Sequence, residues 1–233
     1  MKYLFLVLIV INSSGIARAE GYGVTTSTDL KAEGAKGSQF RARVLQLVSL
    51  VKSKHFDEAE TFAAELRRTF ESSFDRSLKQ YVFQSNIEYQ EFLKNSSESF
   101  EWIDWGYKEC IQMQAFIASD KRLFSVAIDR LKELQSIAPM SADTSVELGF
   151  AFNQSHHPDD ALAAYERGLQ LARRYPSQRS FEGAALRGKG YSLVELGNLH
   201  EAELAYEESL MVEPGNKVAL RELEYIRQSY AKQ

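Results

Sequence analysis

The sequence predicts an all-α fold, a right-handed solenoid of helix-turn-helix repeats closed by a C-terminal capping helix. Three observations predict it. Residues 148–171 and 189–212 are copies of one unit: Gly149, Ala161, Tyr165 and Gly168 recur as Gly190, Ala202, Tyr206 and Ser209 at a constant shift of 41 residues. Apolar residues recur at helical rather than strand spacing, as in Val44, Leu47, Val48 and Val51. Only four prolines and a 44% hydrophobic content in 233 residues argue against extensive disorder. Small residues at fixed offsets let the two helices of a hairpin approach closely, while the tyrosine fills the space between neighbouring hairpins.

Residues 1–19 read as an export signal that is removed from the mature chain. Lys2 supplies the positive start, residues 3–11 an apolar run too short to span a membrane, and Ala17-Arg18-Ala19 a small-residue cleavage site. Cleavage after Ala19 removes Lys2 and Arg18 and takes the net charge from −4 to −6, with 26 basic against 32 acidic residues. No cysteine at that site can carry a lipid, and no later apolar run has transmembrane length, so a periplasmic or secreted destination without a membrane anchor is expected. In a eukaryotic secretory protein, Asn95-Ser96-Ser97 would be an N-glycosylation acceptor. Residues 20–37, rich in Gly, Thr and Ala, read as a flexible leader.

Residues 38–99 form a divergent helical repeat region, with Ala59 as the marker of a first copy and Leu47 in the place of the first-helix glycine. No turn signal breaks residues 86–90, and the polar break comes at Asn95-Ser96-Ser97-Glu98-Ser99. Residues 74–93 therefore read as one uninterrupted, atypical helix. Residues 100–216 hold three repeats. The earliest is anchored on Ala127 and ends at Pro139, with residues 100–118 as a long first helix carrying Ala115 in the glycine's place. Trp102-Ile103-Asp104-Trp105-Gly106-Tyr107 imitates a repeat opening, but its register would put the hairpin alanine at Ala118, before the turn-like Ser119-Asp120-Lys121. Both tryptophans are therefore read as packing residues.

In the next repeat the terminal proline comes late, as Pro176. Seven added residues are about two helical turns at 3.6 residues per turn, so the buried faces stay in phase and longer helices are expected over residues 170–186. Residues 217–233 read as the capping helix, with Asn216 at its N-cap. Leu220, Leu223 and Ile226 are its apolar stripe, and Arg221, Glu222 and Arg227 face outward.

Gly190, Ala202, Tyr206, Ser209 and Pro214, followed by Gly215-Asn216, resemble the tetratricopeptide repeat, most clearly over residues 142–216. The resemblance implies a concave groove, lined by the first helices of successive hairpins, that receives an extended peptide or a partner helix. The residue just after the small one in each first helix is Phe116, Phe150 and Tyr191, so three aromatics share one structural place. Buried packing and groove lining are both open to them, although Phe152 and Leu193 already fill the packing position. Gln112, Ser119, Asn153 and Arg187 are the polar groove candidates. The family's peptide-terminus clamps use Lys, Asn and Arg at repeated groove positions, and no matching Lys and Asn pair stands in consecutive hairpins here.

Catalytic and metal chemistry find little support. The single cysteine, Cys110, excludes an intrachain disulfide framework and reads as a small buried apolar residue. His55, His156, His157 and His200 fall in or beside hairpin turns, and those of neighbouring hairpins stand on the order of 10 Å apart, too far for ligands that each need about 2 Å to one zinc. No nucleophile elbow, phosphate loop or paired-His helix is present, and no catalytic residue, metal or cofactor is assigned. Net acidity without a basic, aromatic-interleaved patch argues against nucleic acid. The expected function is a non-enzymatic exported adaptor that binds a partner protein or peptide in its groove, within an envelope-assembly or secretion complex. The alternatives are a non-catalytic subunit or glycan-binding module of an envelope enzyme, or a self-association module.

Overall fold

Ten α-helices account for most of the computed structural model, which describes residues 35–230. The expected signal segment and all but the last three residues of the leader lie outside the described residues. The rest divides into two units, residues 35–141 and residues 142–230.

In the N-terminal unit, α1 (Arg41–Lys52) and α2 (Phe56–Glu71) form the first hairpin. Val44, Leu47, Val48 and Val51 line one side of α1, and Ala59, Ala63, Leu66 and Phe70 one side of α2; all eight are buried. The second hairpin joins α4 (Trp105–Asp120) to α5 (Phe124–Ile137). Helix α4 packs directly on α1 and α2. Gly106 permits that approach: a β-carbon there would stand 2.9 Å from Val44 Cγ2 and 3.1 Å from Phe70 Cζ.

Between the two hairpins, where one repeat length is unaccounted for, the chain makes a strand-helix-strand insertion. Strands β1 (Lys79–Tyr81) and β2 (Phe100–Trp102) pair in parallel, Gln80 opposite Glu101, with α3 (Asn86–Asn95) as the crossover. This corrects two expectations. Residues 74–93 are not one helix, and residues 100–118 are not one helix, because α4 begins only at Trp105. The physical reasons are local. Ser85 Oγ accepts the Glu88 amide at 3.3 Å while the Glu88 carboxylate accepts the Gln84 amide at 2.7 Å, a reciprocal cap that starts a new helix. Asp104 Oδ1 accepts the Gly106 amide at 2.9 Å and starts α4. Aromatic rings then hold the insertion together: Phe83 meets Phe92, Phe100 and Trp102 edge-on or tilted at 5.2–5.9 Å, and Tyr89 stacks on Trp102 at 4.4 Å.

The C-terminal unit contains α6 (Ala142–Gln154), α7 (Pro158–Arg174), α8 (Glu182–Glu195), α9 (Leu199–Val212) and α10 (Lys217–Tyr230). The seven extra residues lengthen α7 and then form a 3-10 turn, Pro176–Phe181, instead of continuing as α-helix, since Pro176 has no amide to donate. That turn also serves the start of α6, where the fully buried side chain of Gln178 accepts the Ala142 amide and caps the helix.

All four hairpins turn in one way. The left-handed residue is Lys54 (φ 59°), Arg122 (φ 59°), His156 (φ 61°) or Gly197 (φ 80°). The next amide bonds back across the helix end, His55 to Leu50, Leu123 to Ala118, His157 to Phe152 and Asn198 to Leu193, at 2.8–3.0 Å. Each second helix then buries its fourth residue, Ala59, Ala127, Ala161 or Ala202, completely. Ala127 thus sets the register of its hairpin, and the divergent first copy shares the same geometry. Helix α10 covers α9 with Ala219, Leu223 and Ile226, a stripe spaced four and three residues apart. Asn216 caps it, accepting the amides of Val218 and Ala219 at 3.1 and 3.3 Å. Leu220, expected in that stripe, lies one residue off it and is 49% exposed, while Glu222, expected outward, is half-buried.

Candidate functional site

First helices present a polar and aromatic face in both units. In the C-terminal unit, Phe150 and Asn153 lie on α6, and Arg187 and Tyr191 on the adjacent α8. Phe150 and Tyr191 are half-buried, each one residue beyond a glycine that must stay small. A β-carbon on Gly149 would stand 2.8 Å from the Tyr165 ring, and one on Gly190 would stand 2.8 Å from the Tyr206 ring. The two buried tyrosines thus pack from behind, and Phe150 and Tyr191 emerge beside them. Burial pushes both tyrosine hydroxyls above their ordinary range, with nearby carboxylates, Glu147 for Tyr165 and Glu222 for Tyr206, adding to it.

Asn153 joins the two first helices. Its amide donates to Ser192 Oγ at 3.0 Å, and the Ser192 hydroxyl also lies 3.1 Å from the Gly188 carbonyl. Arg187 is buried and points to the base of the last hairpin: one guanidinium nitrogen is 2.7 Å from Glu213 Oε2 and 3.4 Å from Ser209 Oγ. Asn216 donates to the same Glu213 oxygen at 3.0 Å. Gly183 leaves the room for this pair, because a β-carbon there would clash with Glu213 Oε1 and stand 2.8 Å from its Cδ. Arg187 is therefore neutralised within the fold and ties α8 to the end of α9.

In the N-terminal unit, Phe116 and Gln112 lie on α4. Phe116 is half-buried and meets Phe56 edge-on at 6.2 Å. Gln112 is buried, and its carbonyl oxygen accepts from Lys108 Nζ at 2.6 Å. Ser119 is half-buried at the end of the same helix. Cys110, fully buried, has its thiol pushed up to about 12 by desolvation and by neighbouring Glu109, which leaves no thiolate at neutral pH. Among the described residues, no three His, Cys, Asp or Glu side chains converge as a metal site, and no helix is long and apolar enough to cross a membrane.

Two residues of this face escaped the sequence reading. Tyr225 on α10 stands 34 residues after Tyr191, in the place that Phe116, Phe150 and Tyr191 hold, and is 55% exposed. Glu222 stands 34 residues after Gly188 and is half-buried beside Tyr206. The repeat period was the signal for both. Assigning α10 to capping alone concealed it.

No protein-family model matches the chain, and no curated protein matches it in sequence. Solved structures do. The first TPR domain of Spaghetti (RPAP3), bound to the HSP90 peptide SRMEEVD, is 22% identical with a TM-score of 0.50, over 55% of this chain and 96% of that one. The Sgt2 TPR domain from Aspergillus fumigatus is 19% identical with a TM-score of 0.49, over 54% of this chain and 80% of that one. The second TPR domain of human RPAP3, in complex with the HSP70 peptide SGPTIEEVD, is 21% identical with a TM-score of 0.46, over 50% of this chain and 92% of that one. Four hairpins with one turn geometry, glycines under tyrosines and the likeness to the first of these domains converge on one conclusion: over the matched part, this chain has the tetratricopeptide-repeat fold.

Proposed function

We propose that this protein is an exported, non-enzymatic adaptor that binds an extended segment of a partner protein along its first-helix face, within an envelope-assembly or secretion complex. One observation carries the binding part. Phe150 and Tyr191 occupy equivalent places on adjacent helices and keep part of each ring exposed, whereas the tyrosines behind them are buried. Partly exposed aromatic rings at equivalent places on adjacent helices supply contact area at low entropic cost, and such side chains dominate protein interfaces. Asn153 adds an amide beside the strip, and Phe116 and Ser119 hold the matching places on α4, with Gln112 in the place that Arg187 holds on α8. That the similar RPAP3 domain was solved with a bound peptide makes a peptide the first ligand class to test. The export and envelope parts rest on the character of residues 1–19.

Selection from a random peptide library displayed on phage tests the reading. Enriched peptides should bind the purified protein, and Phe150→Ala and Tyr191→Ala should each weaken binding by about 1–4 kcal/mol while helicity and melting hardly change. Peptides that bind the alanine variants as well as the parent would refute the strip. So would an alanine change that collapses the fold, since the rings would then be packing residues.

A further inference from the structure

Helix α10 does more than cover the last hairpin. It carries two side chains in the register of the binding face, Glu222 and Tyr225, three residues apart and so adjacent on one side of the helix. An ordinary terminal cap turns a polar, well-solvated face outward. Here a large ring is left 55% exposed and a carboxylate is half-sunk against buried Tyr206.

Arg221 is the cation whose charge acts on that carboxylate, and it offsets the burial only in part, while Arg187, Arg227 and Lys189 are paired elsewhere. Arg187 is held by Glu213 at 2.7 Å. Arg227 is held by Glu203 and Glu207 at 2.8 and 2.7 Å, and Lys189 by Glu166 at 2.9 Å. Arg221, next to Glu222 in the chain, turns along the helix and donates from Nε to the Lys217 carbonyl at 3.3 Å. Lys217 itself stands at the start of α10, more than a turn away and on another side. Residues 142–230 contain nine Lys and Arg against fourteen Asp and Glu, whereas residues 35–141 contain fifteen of each, so the chain's acidic excess is concentrated in this unit. The Glu222 charge acts on Tyr206, which is buried.

We infer that this end of the face takes a basic side chain, a Lys or Arg of the bound peptide, seated on Glu222 between the rings of Tyr191 and Tyr225. The inference rests on the peptide-binding reading above and specifies the ligand's chemistry. A carboxylate already partly desolvated loses little further hydration when a cation arrives, and the flanking rings offer it their negative faces. The arrangement is selective in sign. An acidic ligand residue at this point would meet Glu222 across a poorly hydrated gap.

Three labelled nine-residue peptides, alternating Ala and Leu with Lys, Gln or Glu at the centre, test it by fluorescence anisotropy against the full mature chain at low and moderate salt. The Lys peptide should bind about tenfold more tightly than the Gln peptide, the size of one charge-assisted hydrogen bond, and the Glu peptide most weakly. Glu222→Gln should erase the difference between Lys and Gln peptides while keeping the affinity for the Gln peptide, and Tyr225→Ala should reduce the Lys preference. Equal binding of all three peptides, or a Lys preference that survives Glu222→Gln, overturns the inference. If the Gln peptide binds and is lost in Phe150→Ala, but Lys brings no gain, the adaptor reading stands and only the charge selection falls. If none of the three binds, both fall.

Discussion

Gly188 lies against the ring of Tyr165 so closely that a β-carbon on it would stand 2.1 Å from Cε1. The same ring rests on Gly149 of its own hairpin, where a β-carbon would stand 2.8 Å away. One tyrosine therefore sets the separation of α6 and α8, and two glycines make the space. Gly188→Ala should destabilise the protein by about 1–3 kcal/mol through overpacking, despite the better helix propensity of alanine. Urea unfolding decides it: an unchanged or higher midpoint would show that the tyrosine can move aside.

Left-handed backbone at three of the four hairpin turns is carried by residues with a β-carbon, Lys54, Arg122 and His156. Such a conformation costs an L-residue about 1–2 kcal/mol that glycine does not incur. Arg122→Gly and His156→Gly should each raise stability by about 1 kcal/mol. Gly197→Ala should lower it by a similar amount for conformational reasons alone, since a β-carbon there meets nothing within 4 Å. Thermal melts of the three variants check all signs at once.

Burial raises the Glu222 carboxyl above its ordinary value, and Arg221 only partly opposes this. Between the unfolded and folded values the folded chain binds more protons, so this residue's contribution to stability falls as pH rises through that window. Glu222→Gln should therefore melt higher than the parent at neutral pH, and the gain should disappear below the ordinary glutamate value of 4.5. A variant that melts lower at neutral pH would show that the carboxylate is compensated in the fold.

Export predicts a mature chain that starts at Glu20. Intact-mass measurement of protein recovered from the envelope fraction or medium should show residues 1–19 removed and no lipid added. A retained N-terminus or a lipid adduct would contradict this.

Much of the repeat architecture was legible because its determinants are steric and periodic. Gly149, Gly190, Ala161, Ala202, Tyr165 and Tyr206 each fill a place that tolerates few alternatives. The insertion was harder to see. Apolar residues between 74 and 93 satisfy a helical period by chance, and the informative marks were the Ser85 to Glu88 capping pair and the alternation in Phe100-Glu101-Trp102-Ile103. At the candidate site, register alone found Phe116, Phe150 and Tyr191. It could not find the Arg187 to Glu213 pair, whose members are 26 residues apart and meet only because α9 returns along α8. Nor could burial of Gln112 be read from a polar residue on a helix.

The strand-helix-strand insertion also bears on how fast the chain organises. By parting the first two hairpins in sequence, it makes their mutual ties distant ones: Arg41 reaches Asp104 across 63 residues and Arg67 reaches Glu133 across 66. In the C-terminal unit the corresponding ties between hairpins, Arg173 to Glu208 and Asn153 to Ser192, span 35 and 39. Closing longer loops costs entropy before contacts repay it, and folding slows as contacts become less local. Stopped-flow refolding should thus resolve two phases, a fast one reported by groups in residues 142–230 and a slow one reported by Trp102 and Trp105. During the interval between them, the aromatic side chains of the insertion are the surface that a holding chaperone would encounter.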